Sequence, residues 1–534
     1  MRAIRRGWFC CISALATSSV FPAVPTDRLL ADYVARFNRD DVESVTNAIP
    51  NSAATEFMLK NCPRFACPDA EIERTYYFRW WTFRKHLRHD LGLWTVTEFL
   101  PNVGWAGKGN TIVCPAGHHF REGRWLRDPE YLADNARFWL QDPEARRWDY
   151  SSWLFTSVRL LAEISGRDRL PEELLDDAVA CFRRWEEGFK RGGAFMGGDG
   201  AGGFLSIDGY EGTEISLGGS CGYKPLFSSA MWSEANAIAE VARACGRTEL
   251  AREFDDKAKR AFDSVMTNCW NGAVGFFTTR TCDGRRNPVR ELHGYAPWYF
   301  GFPSGKTADW AQLDDPQGFS AKYGLTFPER RAKGFTIDYR GHECKWNGPS
   351  WPFATSIALT ALANDLHARH VVNGGKGFDG LSDLFGRLVH QYADSHCRVR
   401  DEKREGVGGM VAWIDENLNP DRRDWIARSV LLEGFLKKNS GGCFRERGKD
   451  YNHSTFCDLV ISGLVGIVPR GSAGFDVDPL CPRTWDRFVL ENLRYREHEV
   501  AVLWRCGEGL EVRMDGEVAA RRTDLGVLNV RFRK

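Results

Sequence analysis

Two stretches of this chain place carboxylates among glycines and aromatic rings, the composition of a loop that does chemistry. The first runs Asp208-Gly209-Tyr210-Glu211-Gly212-Thr213-Glu214, followed by Gly218, Gly219, Gly222 and Tyr223. The second runs Trp413-Ile414-Asp415-Glu416-Asn417-Leu418-Asn419-Pro420 and leads into Asp424-Trp425. Two separated acids are what breaking a glycosidic bond requires: one protonates the leaving oxygen, and the other activates water or attacks the sugar. A plainer reading stands beside each. The first stretch also reads as a solvated acidic turn; in the second, Asp424 can cap a helix while Asp415 or Glu416 is an exposed loop charge. Two such loops in one chain favour the chemical reading of both. Between them lies Lys345-Trp346-Asn347-Gly348-Pro349-Ser350-Trp351-Pro352, a path stiffened by Pro and Gly. A sugar ring can stack on Trp346 or Trp351 and hydrogen-bond to Asn347; equally, the two indoles can plug a helix entrance.

Such loops need a scaffold, and from about residue 130 to 470 the pattern is helix after helix. Leu154, Val158 and Leu161 mark one face of a segment that stops at Gly166; Pro171 opens the next, with Leu174, Ala178 and Cys181 on one stripe. A second hairpin repeats the design, with Met231, Ala235, Ile238 and Ala242 on one helix, a stop at Gly246, and Leu250, Phe254, Ala258 and Ala261 on its neighbour. Further helices begin near Phe353, Leu381 and Asp424. The helix after Trp351 carries Phe353, Ile357 and Ala361 on one side and Leu359, Leu362 and Leu366 on another, so burial nearly all round and a place in an inner ring are expected. The connections over 92–125, 191–228, 283–351 and 401–425 are long, Gly-rich and aromatic, which marks them as pocket-lining. After about residue 475 the period becomes two, with Val500, Val502 and Trp504, then Leu510, Val512 and Met514, and a turn at Asp515-Gly516. A small antiparallel module is expected there.

Composition narrows the partner. Lys plus Arg total 72 against 71 for Asp plus Glu, so no global field draws the chain to nucleic acid or an anionic membrane surface. Twenty Trp, 34 Phe and 14 Tyr supply flat apolar faces that suit the C–H faces of sugars, although most individual rings fit an ordinary aromatic core. No stretch after the N-terminus approaches the roughly 20 apolar residues of a membrane helix, so membrane insertion is not expected. Residues 1–23 begin MRAIRRGW, continue as a short apolar run broken by Ser13, Thr17, Ser18 and Ser19, and end in small residues. That segment reads as a secretory signal or as an ordinary N-terminus: the protein is secreted or periplasmic in the first case, cytoplasmic in the second. The 16 cysteines are scattered along a chain too long to need a disulfide framework and are expected to be mostly buried thiols. Cys62 and Cys67, without a second pair, make a poor zinc site, and neither metal nor cofactor is expected.

Trp346-Asn347-Gly348-Pro349 followed by Trp351-Pro352 resembles the signature loop of the (α/α)6-barrel glucosidases, a group that includes processing α-glucosidase I, trehalase and mannosylglycerate hydrolase. The resemblance implies an all-α fold, an (α/α)6 toroid of helical hairpins over residues 24–475 with a C-terminal β module over 476–534. In those families the general acid lies in a Ser-Gly-aromatic-Asp motif, whose nearest match is Asp208-Gly209-Tyr210-Glu211. Glu211 takes the acid's place, while Asp208 and Glu211 both depart from the motif, so Asp208 stays a rival. The general base precedes a Tyr-Asn-Pro-like stretch similar to Glu416-Asn417-Leu418-Asn419-Pro420, which implies Glu416. The runs Tyr77-Phe78-Arg79-Trp80-Trp81, Glu98-Phe99-Leu100-Pro101, Gly104-Trp105-Ala106-Gly107, Cys114-Pro115-Ala116-Gly117-His118-His119 and Lys449-Asp450-Tyr451-Asn452-His453-Ser454 resemble the mannosylglycerate-hydrolase-like branch, which includes enzymes of plant cell-wall polysaccharide and a β-L-arabinofuranosidase family.

The expected activity is hydrolysis of a glycosidic bond in an oligo- or polysaccharide, with inversion, which places the two carboxyls roughly 6.5–9.5 Å apart. Glu211 stays protonated through burial and the like charges of Asp208 and Glu214, and Glu416 stays ionised. Arg79, Trp80, Trp105, His118, His119, Trp346, Asn347, Trp351 and His453 are candidates for the substrate-binding surface; His118 and His119 read equally well as a structural pair. Two other classes stay open: a silent carbohydrate-binding scaffold, and a polysaccharide lyase or epimerase on the same kind of toroid.

Overall fold

The computed structural model describes residues 26–191, 194–373, 379–438 and 446–532. The N-terminal segment read as a signal lies outside the described residues. The neighbouring pair that the apolar spacing predicts forms between Pro225–Ala244 and Thr248–Ser264, whereas Leu154–Ser165 packs chiefly on Ala116–Gly123 and Pro225–Ala244 rather than on Leu175–Glu187. Leu154–Ser165 buries Leu154, Val158 and Leu161 and stops at Gly166, whose φ of 72° is open to glycine at little cost. Pro171 lies inside a separate short helix, Arg169–Glu173, rather than opening the long one, which starts at Leu175 and runs to Glu187. Pro225–Ala244 packs along Thr248–Ser264 and buries Met231, Ala235, Ile238 and Ala242. In Pro352–Asn373 all six apolar positions of its two stripes are buried, so this helix is enclosed on both sides. Asp379–Ser395 packs against it and against Ala70–Lys85.

The chain is not all-α. The Gly-rich connection over 191–228, expected to be loop, supplies most of an antiparallel five-stranded sheet, in the spatial order Arg280–Thr281, Cys221–Tyr223, Phe204–Ile207, Ala194–Gly198, Phe189–Arg191. Strands of two to five residues are too short to impose a readable alternation on the sequence. A disulfide, Cys221–Cys282, ties two of its chain segments together, while most of the other described cysteines are buried free thiols as expected. Cys62 and Cys67 are buried and free. A second five-stranded sheet is built from Arg487–Tyr495, His498–Arg505, Gly509–Met514 and Glu517–Arg522, with Arg64–Ala66 as an edge strand. Val500, Val502, Leu510 and Val512 face its buried side, and Asp515-Gly516 make the turn with φ of 52° and 86°. Asp424–Trp425 is not a helix cap: it pairs as a short strand with Leu418–Asn419, and the helix Ile426–Lys438 follows.

Candidate active site

The sheet of the Gly-rich segment delivers the first acid. Strand Phe204–Ile207 runs into a single helical turn, Asp208–Glu211, closed by Gly212 at φ 69°. A Cβ at Gly212 would also stand 2.9 Å from Cys114 Sγ, so the turn needs glycine twice over. Within the turn the two acids part. Asp208 accepts from Ser216 Oγ at 2.8 Å and is ion-paired with buried Lys224. Glu211 is buried, with Oε1 lacking any hydrogen-bond partner. Burial pushes its carboxyl up to about 7; the Lys224 ammonium opposes this and the charge of Asp208 adds to it.

The second acid sits on the loop between Met410–Ala412 and Leu418–Asn419. Glu416 is buried and accepts from Arg447 Nε at 2.9 Å through Oε1, while Cys344 Sγ donates to Oε2 at 2.7 Å. Arg447 also holds Glu343 at 2.8 Å, and these carboxylates keep its guanidinium charged. Behind Glu416, Asp415 is pushed up to about 7 by burial and by the neighbouring carboxylate. Its Oδ1 lies so close to Gly448 that a Cβ there would meet it at 2.0 Å. Asn417 fastens the loop: its Oδ1 accepts from Ala427 N and its Nδ2 donates to Glu343 O, both at 2.9 Å.

The Trp346–Pro352 loop joins the two acid loops. Trp346 N donates to Glu214 O at 3.1 Å, and Ser350 and Leu418 exchange backbone hydrogen bonds at 2.9 Å. The indoles of Trp346 and Trp351 stack with centroids 3.9 Å apart and 8° between planes. Around this strut lies a cavity of about 220 Å³ lined by Glu211, Glu416, Trp346, Trp351, His453 and Trp105, among others. Trp105 stands at its mouth, 44% exposed, under the Arg447 guanidinium at 5.0 Å.

The remaining expected residues lie outside the cavity lining. Asp208 is held by Lys224, and the main-chain carbonyl of Asn347 accepts from Thr336 N at 2.9 Å, its side-chain Oδ1 being buried without a partner. Trp80 is fully buried among Tyr76 and Phe83. Arg79 is fully buried and braces a wall, reaching Tyr451 O at 3.4 Å and Asn452 Oδ1 at 3.3 Å. His118 and His119 face backbone carbonyls through Nε2, of Phe353 at 3.0 Å and Asn452 at 2.7 Å. Burial drives His118 down to about 4 and His119 to about 3, so both rings are neutral struts. Conversely, the cavity gathers Glu214 from the first acid loop together with Glu98, Tyr150, Cys344, Arg447 and Tyr451, five residues that the acid-in-loop pattern does not single out. Glu98 and Tyr451 stand inside stretches that carry the family resemblance, which was the one signal available for them.

Comparisons with known proteins bear on this site. The profile of the mannosylglycerate hydrolase MGH1-like glycoside hydrolase domain matches residues 108–454, which include both acid loops. Among solved structures, a protein described as a sialidase is 30% identical with a TM-score of 0.80; the match covers 94% of this chain and 44% of that one. This chain therefore spans less than half of that protein. The GH78 family rhamnosidase of Bacillus sp. GL1 is 14% identical with a TM-score of 0.50, over 85% of this chain and 41% of that one, a likeness of fold alone. A GH63 mannosylglycerate hydrolase from Thermus thermophilus, in complex with Tris and D-glycerate, is 13% identical with a TM-score of 0.47, over 73% of this chain and 100% of that one.

Proposed function

Because this chain belongs to the mannosylglycerate hydrolase MGH1-like glycoside hydrolases, we propose that it hydrolyses an O-glycosidic bond of an oligo- or polysaccharide, with Glu211 as general acid and Glu416 as general base. One observation carries the assignment: the two carboxyls line the same cavity in opposite settings. Glu211 has an unpartnered oxygen and a carboxyl pushed up to about 7, whereas Glu416 is ion-paired with Arg447. An acid and a base whose surroundings push them apart divide the proton work of glycoside hydrolysis. Asp208 is set aside as the acid because Lys224 holds it out of the cavity lining.

In this reading Glu211 donates its proton to the glycosidic oxygen as the C–O bond breaks. Glu416 takes a proton from the water that adds to the anomeric carbon from the other face, giving an inverted sugar and an alcohol. A cavity of about 220 Å³ is smaller than the roughly 300 Å³ at which drug-sized sites begin, which suits one terminal sugar ring. The helical pairs are read as parts of a closed (α/α)6 toroid, the substrate as derived from plant cell wall, and the protein as exported.

A panel of aryl glycosides and plant-wall oligosaccharides, with products resolved by chromatography, tests the activity, and proton NMR of the first-formed anomer tests inversion. Glu211→Gln and Glu416→Gln are expected to bind sugar while turning it over about 100-fold or more slowly. A folded wild-type protein that binds sugars and cleaves none is a scaffold, and an unsaturated product absorbing in the ultraviolet marks a lyase; either result removes the hydrolase reading.

A further inference from the structure

Proton transfer makes no use of three side chains in the cavity wall, Glu98, Tyr451 and His453. They form one braced unit. The Tyr451 hydroxyl donates to Glu98 Oε1, Asn452 N donates to Glu98 O at 3.2 Å, and Asn452 Nδ2 donates to Thr97 O at 3.2 Å. Arg79 grips the same stretch from behind at Tyr451 O and Asn452 Oδ1. The His453 ring stands edge-on to Tyr451, with centroids 3.8 Å apart at 87°, and contacts Phe353 and Trp351 on its other sides.

His453 is the unexplained member. It is 3% exposed, and neither ring nitrogen has a hydrogen-bond partner. Burial takes from an imidazole the two hydrogen bonds it makes to water. Here the ring lines a cavity, so a ligand can return both. Burial also holds it well below its ordinary pKa, hence neutral, with one N–H to give and one lone pair to receive. Glu98 is complementary. Burial, opposed by the Tyr451 hydroxyl and aided by the charge of Glu416, pushes its carboxyl up to about 8, so at neutral pH it too both donates and accepts.

The charge of the cavity points the same way. Glu98, Glu211, Glu214, Glu343 and Glu416 all line it, and Arg447, the one guanidinium among the described lining residues, is already committed to Glu416 at 2.9 Å and Glu343 at 2.8 Å. His342, a second basic ring on the lining, is exposed, with Nδ1 3.1 Å from Cys344 N and 3.3 Å from Cys344 O. Among the described residues of the lining, only this exposed imidazole is left to oppose the five acids.

We infer that Glu98 and His453 form the recognition edge of the site, reading a pair of neighbouring hydroxyls on one uncharged sugar residue, and that the cavity rejects a sugar bearing a carboxylate. This rests on the hydrolase reading for its place in a reaction, but not for its binding test. Two hydroxyls present donors and acceptors in the same mixture as a neutral imidazole and a protonated carboxyl. A uronic or sialic carboxylate would instead meet an excess of acids, with the Arg447 guanidinium already committed and only the exposed His342 ring left to oppose them.

The test uses quenching of tryptophan fluorescence, because Trp346 and Trp351 lie in the cavity wall, with D-glucose, D-galactose and L-arabinose titrated against D-glucuronate and D-galacturonate. At least one neutral sugar is expected to bind about tenfold or more tightly than either uronate, and Glu98→Gln and His453→Ala each to weaken that binding about tenfold or more. On whichever glycoside is turned over, both variants should raise KM by more than they lower kcat, while Tyr451→Phe, which keeps the Glu98 carboxyl, loses less. His453→Gln, which restores one donor and one acceptor, should recover part of the affinity. Uronates binding as tightly as neutral sugars, or folded Glu98→Gln and His453→Ala proteins that bind like wild type, overturn the inference, as does wild type that binds none of the five. Sugar binding with the expected pattern but no turnover on any glycoside removes the hydrolase reading and leaves the recognition edge standing.

Discussion

Arg447 holds Glu416 from one side, Nε to Oε1 at 2.9 Å, while the thiol of Cys344 donates to Oε2 at 2.7 Å. The same guanidinium grips Glu343 at 2.8 Å and lies over the Trp105 ring, so one side chain fixes the candidate base and the mouth of the cavity together. Removing one partner of a buried ion pair leaves the other uncompensated, at a cost of about 3–5 kcal/mol. Arg447→Ala is therefore expected to lower the denaturant midpoint clearly and to cut kcat by about 100-fold or more. Arg447→Lys should regain part of the stability but little of the rate, since an ammonium lacks the planar fork that serves two carboxylates at once. Steady-state kinetics beside urea unfolding decide it, and an alanine variant with wild-type kcat would remove the role.

Activity should fall on the alkaline side. The general acid works only while protonated, and Glu211 is pushed up to about 7, so kcat/KM is expected to drop as pH rises through that value. Glu211→Gln should lose about 10²- to 10⁴-fold in rate with an aryl or alkyl leaving group that needs protonation. It should lose much less on a fluoride, which leaves unaided. An alkaline limb that persists unchanged in a residual activity of the Gln variant would assign the proton to another group.

Stability should follow the same direction. Glu98, Glu211 and Asp415 are pushed up to about 8, 7 and 7 from ordinary values of 4.5, 4.5 and 3.8. A carboxyl whose pKa is raised on folding supports the fold fully below its unfolded pKa, and that support is lost as pH rises through the folded value. A tenfold difference in proton affinity between the folded and unfolded chain is worth about 1.4 kcal/mol. Unfolding midpoints are expected to decline between about pH 5 and pH 8. The double variant Glu98→Gln, Glu211→Gln should show a flatter profile over that window, and an equally steep one would show that other groups drive the decline.

The helical pairs were legible because their apolar stripes repeat over a dozen or more residues, as Met231, Ala235, Ile238 and Ala242 do. Glu211 and Glu416 were legible because acids amid glycines and indoles are uncommon. The rest of the cavity depends on contacts that no local spacing carries: Glu98 meets Tyr451 across 353 positions, and Arg447 meets Cys344 across 103. Aromatic density misled in the other direction. Arg79, Trp80, His118 and His119 lie in stretches as rich in rings as the cavity loops, and only packing tells a wall from the surface it supports. The sheet beside Glu211 was hidden by the shortness of its strands and by glycines that weaken any alternation.

The Cys221–Cys282 bridge, with Cα atoms 5.6 Å apart across 61 positions, lies in the sheet that carries the Glu211 turn. A cross-link closing a loop of that size restricts the unfolded chain by about 4 kcal/mol in the entropic account. Cys282→Ser is expected to lower the denaturant midpoint of the oxidised protein and to have almost no effect when both proteins are compared in reductant. A non-reducing peptide map of the native protein should recover the two cysteines as one linked pair. Both recovered as alkylated thiols, without reduction, would mean the bridge does not form.

The stacked pair Trp346 and Trp351 ties the two acid loops together. Trp346 N reaches the Glu214 loop and Ser350 pairs with Leu418 beside Glu416, so the short segment between the indoles spans both acids. Truncating a buried Trp costs about 3–5 kcal/mol through lost contacts and the cavity left behind. If the stack only fills space, Trp346→Phe should preserve both stability and rate, because a phenyl ring retains most of the face. If it sets the spacing of the acids, Trp346→Phe should keep most of the stability yet lower kcat, since a misplacement of about 1 Å between catalytic groups can cost about 100-fold. The second outcome is expected here, because the backbone bonds at Glu214 and Leu418 follow the indole positions. Unfolding and single-turnover rates measured on the same Trp346→Phe preparation separate the two.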